Sequence, residues 1–198
     1  MAINLESIVS LTNQKMKDLL KAVTSNVLAE GVAVILPVRR QELSFFLPMV
    51  VNDQGKAIYI GPEDHKDVTI YHRVLSIAPS TKPVQYGRTN ARQAVRVTMG
   101  MVVFFKIAKV RQLPHNLSMI MMGGLPSTIK FNSDEARLTS VSVNTNSLQV
   151  FQEEFNGSQA YFLHPDTAMF RISYVLDGNL DIDCVNSCNE LVNHLCHE

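Results

Sequence analysis

The densest chemistry in the chain is its last 15 residues, CVNSCNELVNHLCHE, with Cys184, Cys188, Cys196, His194 and His197. Three thiols and two imidazoles in so short a span are the ligand types of a zinc site. Geometry argues against it. At about 100° per residue in a helix, Leu191, Leu195, Cys188, Val192, Val185 and Cys196 fall on one arc of about 140° beginning near Cys184. His194 lies outside that arc, and His197 is nearly opposite Cys188. One straight helix cannot gather these four side chains around an ion. The segment is predicted to be an amphipathic helix over 184–197, capped by Asp183, with its cysteines as small buried hydrophobes. No metal and no cofactor is expected.

Catalytic patterns are equally thin. No phosphate-binding glycine loop, zinc-protease histidine pair or nucleophile elbow occurs. Glu153-Glu154 and Asp181/Asp183 are neighbours in sequence only, and such pairs read as solvated faces. His164-Pro165-Asp166 is the tripeptide that joins two helices in the J-domain, but between two apparent strands it reads as a turn. The six histidines are scattered, with no serine or cysteine in a nucleophile setting. The chain is expected not to be an enzyme.

Cationic groups are better organised. Arg88, Arg92 and Arg96 recur in GRTNARQAVR, on a polar stretch interrupted by Pro83 and Gly87. Guanidinium forks bind carboxylates or phosphates at two points, so these arginines are candidate interface residues; Arg39-Arg40 is a second, weaker basic spot. For Arg88, Arg92 and Arg96 the alternatives are a solvated loop or a DNA-facing rim. Met99, Met101, Met119, Met121 and Met122 read as core, with a partner-facing role open because methionine adapts to varied surfaces.

Net charge is zero, yet it is segregated. Residues 68–133 carry nine Lys/Arg and no acid, whereas residues 134–198 carry ten acids and two Lys/Arg. Three outcomes follow: the blocks fold against each other, a basic surface of one copy meets an acidic surface of the next, or the basic block binds nucleic acid.

The elements that would position these groups are those of an α+β chain, with hydrophobic content of 46% against 18% charged, as in a folded protein. Leu5, Ile8, Val9, Thr12, Met16, Leu19, Leu20, Val23 and Val27 follow helical spacing. They predict an N-terminal amphipathic helix over the first 30 residues, stopped by Gly31, with a possible break at 10–13. Strands are expected over 32–38, 43–51, 56–60, 68–77, 95–110 (Gly100 as a bulge), 139–143, 161–163 and 169–176. Asn116 is expected to cap a short helix over 117–122, and Asn144 or Asn146 one over 147–155 that Gly157 ends. The extended loop 79–94 joins two strands. The whole, 1–198, is expected to be one domain: a mostly antiparallel β-sheet or sandwich flanked by a helix at each end. No apolar run reaches a membrane-spanning length, the start does not read as a signal peptide, and an odd number of cysteines staples nothing. A cytosolic setting is expected.

In layout the chain resembles the small head–tail joining proteins of tailed bacteriophages: the N-terminal helix INLESIVSLTNQKMKDLL, a strand-rich middle with an extended basic loop, and the closing FRISYVLDGNLDID. The ending is similar to neck structural proteins of the crAss-like phages. That resemblance implies a non-catalytic virion protein made in the bacterial cytoplasm. It would form a homo-oligomeric ring beside portal, adaptor or tail components, with DNA passing through the lumen without specific binding and no membrane contact. The alternatives are a tail-tube or tail-terminator protein, and a nucleic-acid-binding module using 68–133.

Overall fold

In the computed structural model the described residues are 5–40, 43–51, 56–61, 66–79, 95–131, 134–155 and 165–178. The first element is helix α1 (Leu5–Leu20), which buries Leu5, Ile8, Val9, Met16 and Leu20 along the predicted stripe. It is unbroken at 10–13, where Thr12 Oγ1 donates to Ile8 O at 2.8 Å. The helix stops well before Gly31, however. Thr24 Oγ1 donates to Asp67 Oδ2 at 2.8 Å and accepts from the Asn26 N–H, diverting the chain into strand β1 (Val27–Val32). Val27 and Gly31 therefore belong to a strand, a correction that the helical periodicity of Val23 and Val27 concealed.

Two sheets follow. Strands β2 (Val34–Arg40), β3 (Leu43–Val51) and β4 (Ala57–Tyr59) form a small antiparallel sheet in the order β2-β3-β4. Strands β5 (Val68–Pro79), β6 (Val95–Lys106), β7 (Thr128–Phe131), β8 (Asp134–Asn144) and β9 (Thr167–Gly178) join β1 in the order β1-β5-β6-β9-β8-β7. Every pairing is antiparallel except β1 with β5. The expected long strand over 95–110 ends instead in the short helix α2 (Ile107–Val110), where Arg111 takes a left-handed φ of 54°. Helix α3 (Pro114–Gly124) opens on Pro114 rather than on an Asn116 cap, as proline at the first helical position allows. Helix α4 (Ser147–Phe155) begins where expected, its first turn held by Asn146 Oδ1 accepting from the Gln149 N–H at 3.1 Å.

Side chains along β6 and β9 alternate between two cores, because successive Cβ atoms leave opposite faces. On one face Val97, Met99, Met101, Val103, Phe105, Phe170, Ile172, Tyr174 and Leu176 pack with α1 and α3. On the other, Tyr71, Val102, Phe104 and Met169 pack with Phe151 and Phe155 of α4 and with Leu47 and Val50 of β3. The description is α+β with mostly antiparallel strands. The C-terminal helix expected over 184–197, the strand expected over 161–163 and the loop over 80–94 lie outside the described residues.

Gly100 forms no bulge in β6. One irregularity sits in the neighbouring strand, in β5 between Val74 and Ser76, opposite Met99 and Thr98, and a second lies in β8 between Leu138 and Ser140. A Cβ at Gly100 would come within 3.1 Å of Arg171 Cδ and 3.3 Å of Leu75 Cδ1, so those two side chains would have to give by a few tenths of an ångström.

Candidate interaction surface

The two faces of the sheet are not equally covered. The second core occupies only the end of the sheet near Val68, Phe105 and Ala168. Beyond it the same face carries Arg96, Thr98, Gly100, Ser173, Val175 and Asp177, mostly polar or small residues, with the Leu75 side chain beside Gly100. At the border between the two zones lies a charged cluster. Glu154, fully buried, accepts from Tyr71 Oη at 3.0 Å and Arg73 Nη1 at 2.8 Å. Arg171 Nη1 reaches Glu153 at 2.6 Å and stands 3.5 Å from Glu154. Burial first, then the Glu154 charge, holds the Tyr71 phenol well above its usual range, so it donates as a neutral hydroxyl.

The sequence reading of Glu153-Glu154 as a solvated pair thus needs correction for Glu154. On α4 it shares a face with Val150, Phe151 and Phe155, and it can be buried only because two strand arginines meet it there. Nothing in sequence spacing links positions 73, 154 and 171.

A second polar group crosses the other core. His72 Nε2 lies 2.8 Å from Asn13 Oδ1, and His72 Nδ1 lies 3.0 Å from Tyr174 Oη. Asn13 Nδ2 donates to Glu30 O at 2.6 Å. Asn13 Oδ1 must therefore accept, which places the imidazole proton on Nε2 and makes Tyr174 Oη the donor to Nδ1. The chain ties α1 to the centre of the sheet with every partner satisfied.

Burial lowers the His72 pKa from 6.5 to about 3. Between those values the unfolded chain binds a proton that the folded chain refuses. The stabilisation is complete above about 6.5 and is lost as pH falls toward 3, by up to about 1.4 kcal/mol per pH unit. Urea midpoints at successive pH values are expected to fall more steeply for the wild type than for His72→Gln across that window; parallel profiles would contradict it.

Of the arginines singled out in sequence, Arg96 sits on β6 directly opposite Asp177 on β9 and donates to both carboxylate oxygens at 2.8 and 2.9 Å. Arg39 and Arg40 end β2, opposite Ser44 and Leu43. Arg88 and Arg92 lie outside the described residues. Arg39 and Arg40 thus belong to the small sheet and Arg96 to the large one. Arg73 and Arg96 of the basic block are engaged with Glu154 and Asp177 of the acidic block inside one chain, so part of the charge contrast is spent internally. Met99, Met101 and Met121 are core, whereas Met119 is 65% exposed.

The strand edges escaped the sequence reading. Strand β1 accompanies β5 only from Val68 to His72, and β7 accompanies β8 only from Asp134 to Arg137. Residues 74–79 of β5 and 138–144 of β8 therefore have a strand neighbour on one side alone among the described residues, although the Leu138 N–H still donates to Ser127 O at 2.9 Å. Leu75, Ile77 and Val141 on them are exposed by more than a third. Their sequences, VLSIAP and LTSVSVN, hold no charge. Among the described residues there is no group of three or more His, Cys, Asp or Glu that could hold a metal, and no helix is long and apolar enough to cross a membrane.

No protein-family model matches the chain, and no curated protein matches it. Among solved structures it is similar to the sheath/tube terminator of an extracellular contractile injection system, PVC, in the extended state. The TM-score is 0.36 and the identity 10%, covering 88% of this chain and 58% of that one. The chain thus spans less than two thirds of that neighbour's length, and so loose an overlay transfers neither fold nor role.

Proposed function

We propose that this chain is a non-catalytic structural subunit of a tailed-phage particle, forming a ring in the head–tail connection with copies of itself and with portal, adaptor or tail components. The observation that carries the reading is how its groups are used. The buried ionisable side chains His72, Glu154 and Asp177 are all engaged inside the chain, while uncharged strand edges and apolar residues such as Leu75, Ile77, Leu113, Met119 and Val141 face outward. Apolar exposure of that kind suits contacts with protein neighbours better than chemistry on a small substrate. The phage setting itself comes from the resemblance in layout, and zero net charge suits a lumen through which DNA slides.

Light scattering on the protein mixed in turn with portal, adaptor and tail proteins of its own particle tests this. Co-assembly with portal or adaptor supports the neck position, and assembly with tail proteins alone supports the tail-tube or terminator alternative. A protein that joins neither and binds DNA in a salt-sensitive way would overturn the reading in favour of a nucleic-acid module.

A further inference from the structure

We infer that two copies of this chain join edge to edge, β5 of one against β8 of the next, so that the large sheet runs on from subunit to subunit; the inference rests on the ring reading and names its contact. Residues 74–79 and 138–144 lie on opposite sides of the four-stranded part of the sheet, β5-β6-β9-β8. Each is about 20 Å of strand. An edge without a strand neighbour offers a row of N–H and C=O groups, and proteins that stay apart protect such edges with lysines, prolines, bulges, inward charges or cover. Neither segment carries a charge, and the one proline, Pro79, stands at the end of the first. Each also begins at a bulge, between Val74 and Ser76 or between Leu138 and Ser140, just past the point where its neighbour within the chain ends. A bulge turns an edge out of the line of the strand before it, so each of these segments leaves the line of the stretch that β1 or β7 covers, and a pairing copy must follow that turn.

Direction agrees as well. Strands β5 and β9 run one way and β6 and β8 the other, since each adjacent pair is antiparallel. The registers set Val74 level with Val141 and Ala78 level with Arg137, so a copy displaced sideways, its strands kept in the same sense, must also slip about three residues, or ~10 Å, along them to bring its β8 antiparallel to β5 clear of β1 and β7. The contact joins two different surfaces, and a contact of that kind closes into a ring when its rotation permits. Leu75, Ile77 and Val141, exposed by 37%, 38% and 37%, would then be covered at the joint.

Two variants test it by light scattering. Ser76→Lys with Ala78→Lys charges the β5 edge, and Ser140→Lys with Ser142→Lys charges the β8 edge; all four positions are exposed. With melting midpoints unchanged, each variant alone is expected to be a monomer. An equimolar mixture is expected to give a dimer and nothing larger, because one good edge of each kind remains. If the wild type assembles and both variants assemble like it, the edge contact is wrong while the ring reading stands. A dimer from one variant alone would show like-to-like pairing and overturn the head-to-tail contact. A wild type that stays monomeric, alone and with its particle's proteins, overturns both. Should the variants fail to fold, amide exchange on the wild type decides: slowing at 74–79 and 138–144 on assembly is expected, and its absence overturns the inference.

Discussion

Glu154→Ala is expected to lower the unfolding free energy by about 3–5 kcal/mol, the usual cost of removing one partner from a buried ion pair. The carboxylate is fully buried, and the side chains of Arg73 and Arg171 around it are only 23% and 17% exposed. Removing it leaves Arg73 without its acceptor at 2.8 Å and the buried Tyr71 hydroxyl without its own at 3.0 Å. Arg171 would be left leaning on Glu153, its Nε having no hydrogen-bond partner among the described residues. A group that cannot return to water loses its full solvation. The triple variant Glu154→Leu, Arg73→Met, Arg171→Met is expected to recover most of the loss, since well-packed apolar groups often replace a buried ion pair at little cost. Urea denaturation measures both. A loss below about 1 kcal/mol in the single variant would mean that the cluster is wet and does not fasten α4 to the sheet.

Phe170→Ala is expected to cost about 3–5 kcal/mol, through lost transfer energy and the cavity left behind. Phe170 lies on β9 in the core shared with α1 and α3, fully buried, with its ring edge-on to Phe105 at a centroid distance of 6.0 Å and an angle of 65°. Its backbone is paired with Val103 of β6, which limits how far the site can collapse. Leu75→Ala makes the contrast. Leu75 is exposed on the free β5 edge, and its truncation is expected to leave the urea midpoint of the subunit within about 0.5 kcal/mol of wild type while weakening assembly. Equal losses at the two positions would contradict the division between a closed core and an open edge.

Much of the architecture was legible in the sequence because local signals agreed with the fold. The stripe from Leu5 to Leu20, the run 43–51 and the Asn146 cap before Ser147 all formed where residue types and spacing placed them. Errors arose where a long-range contact decided. Val23 and Val27 continue a helical period, yet the Thr24–Asp67 bond and the parallel pairing with β5 take the chain into β1. Ile107–Val110 looks like more strand and instead turns.

The candidate surface was hardest to read. The sequence drew attention to Arg96, which proved to be spent on Asp177, and to charge blocks that partly cancel inside the chain. The uncharged segments 74–79 and 138–144 carry no signal of their own. Their meaning depends on where β1 and β7 stop, and strand partners are set by topology rather than by local composition.

Sedimentation of the isolated wild-type protein over a wide concentration range tests the building-block account most directly. A closed assembly is expected, its mass a fixed whole-number multiple of the 22.1 kDa chain that stops growing with concentration. A single 22.1 kDa species at every concentration would contradict it.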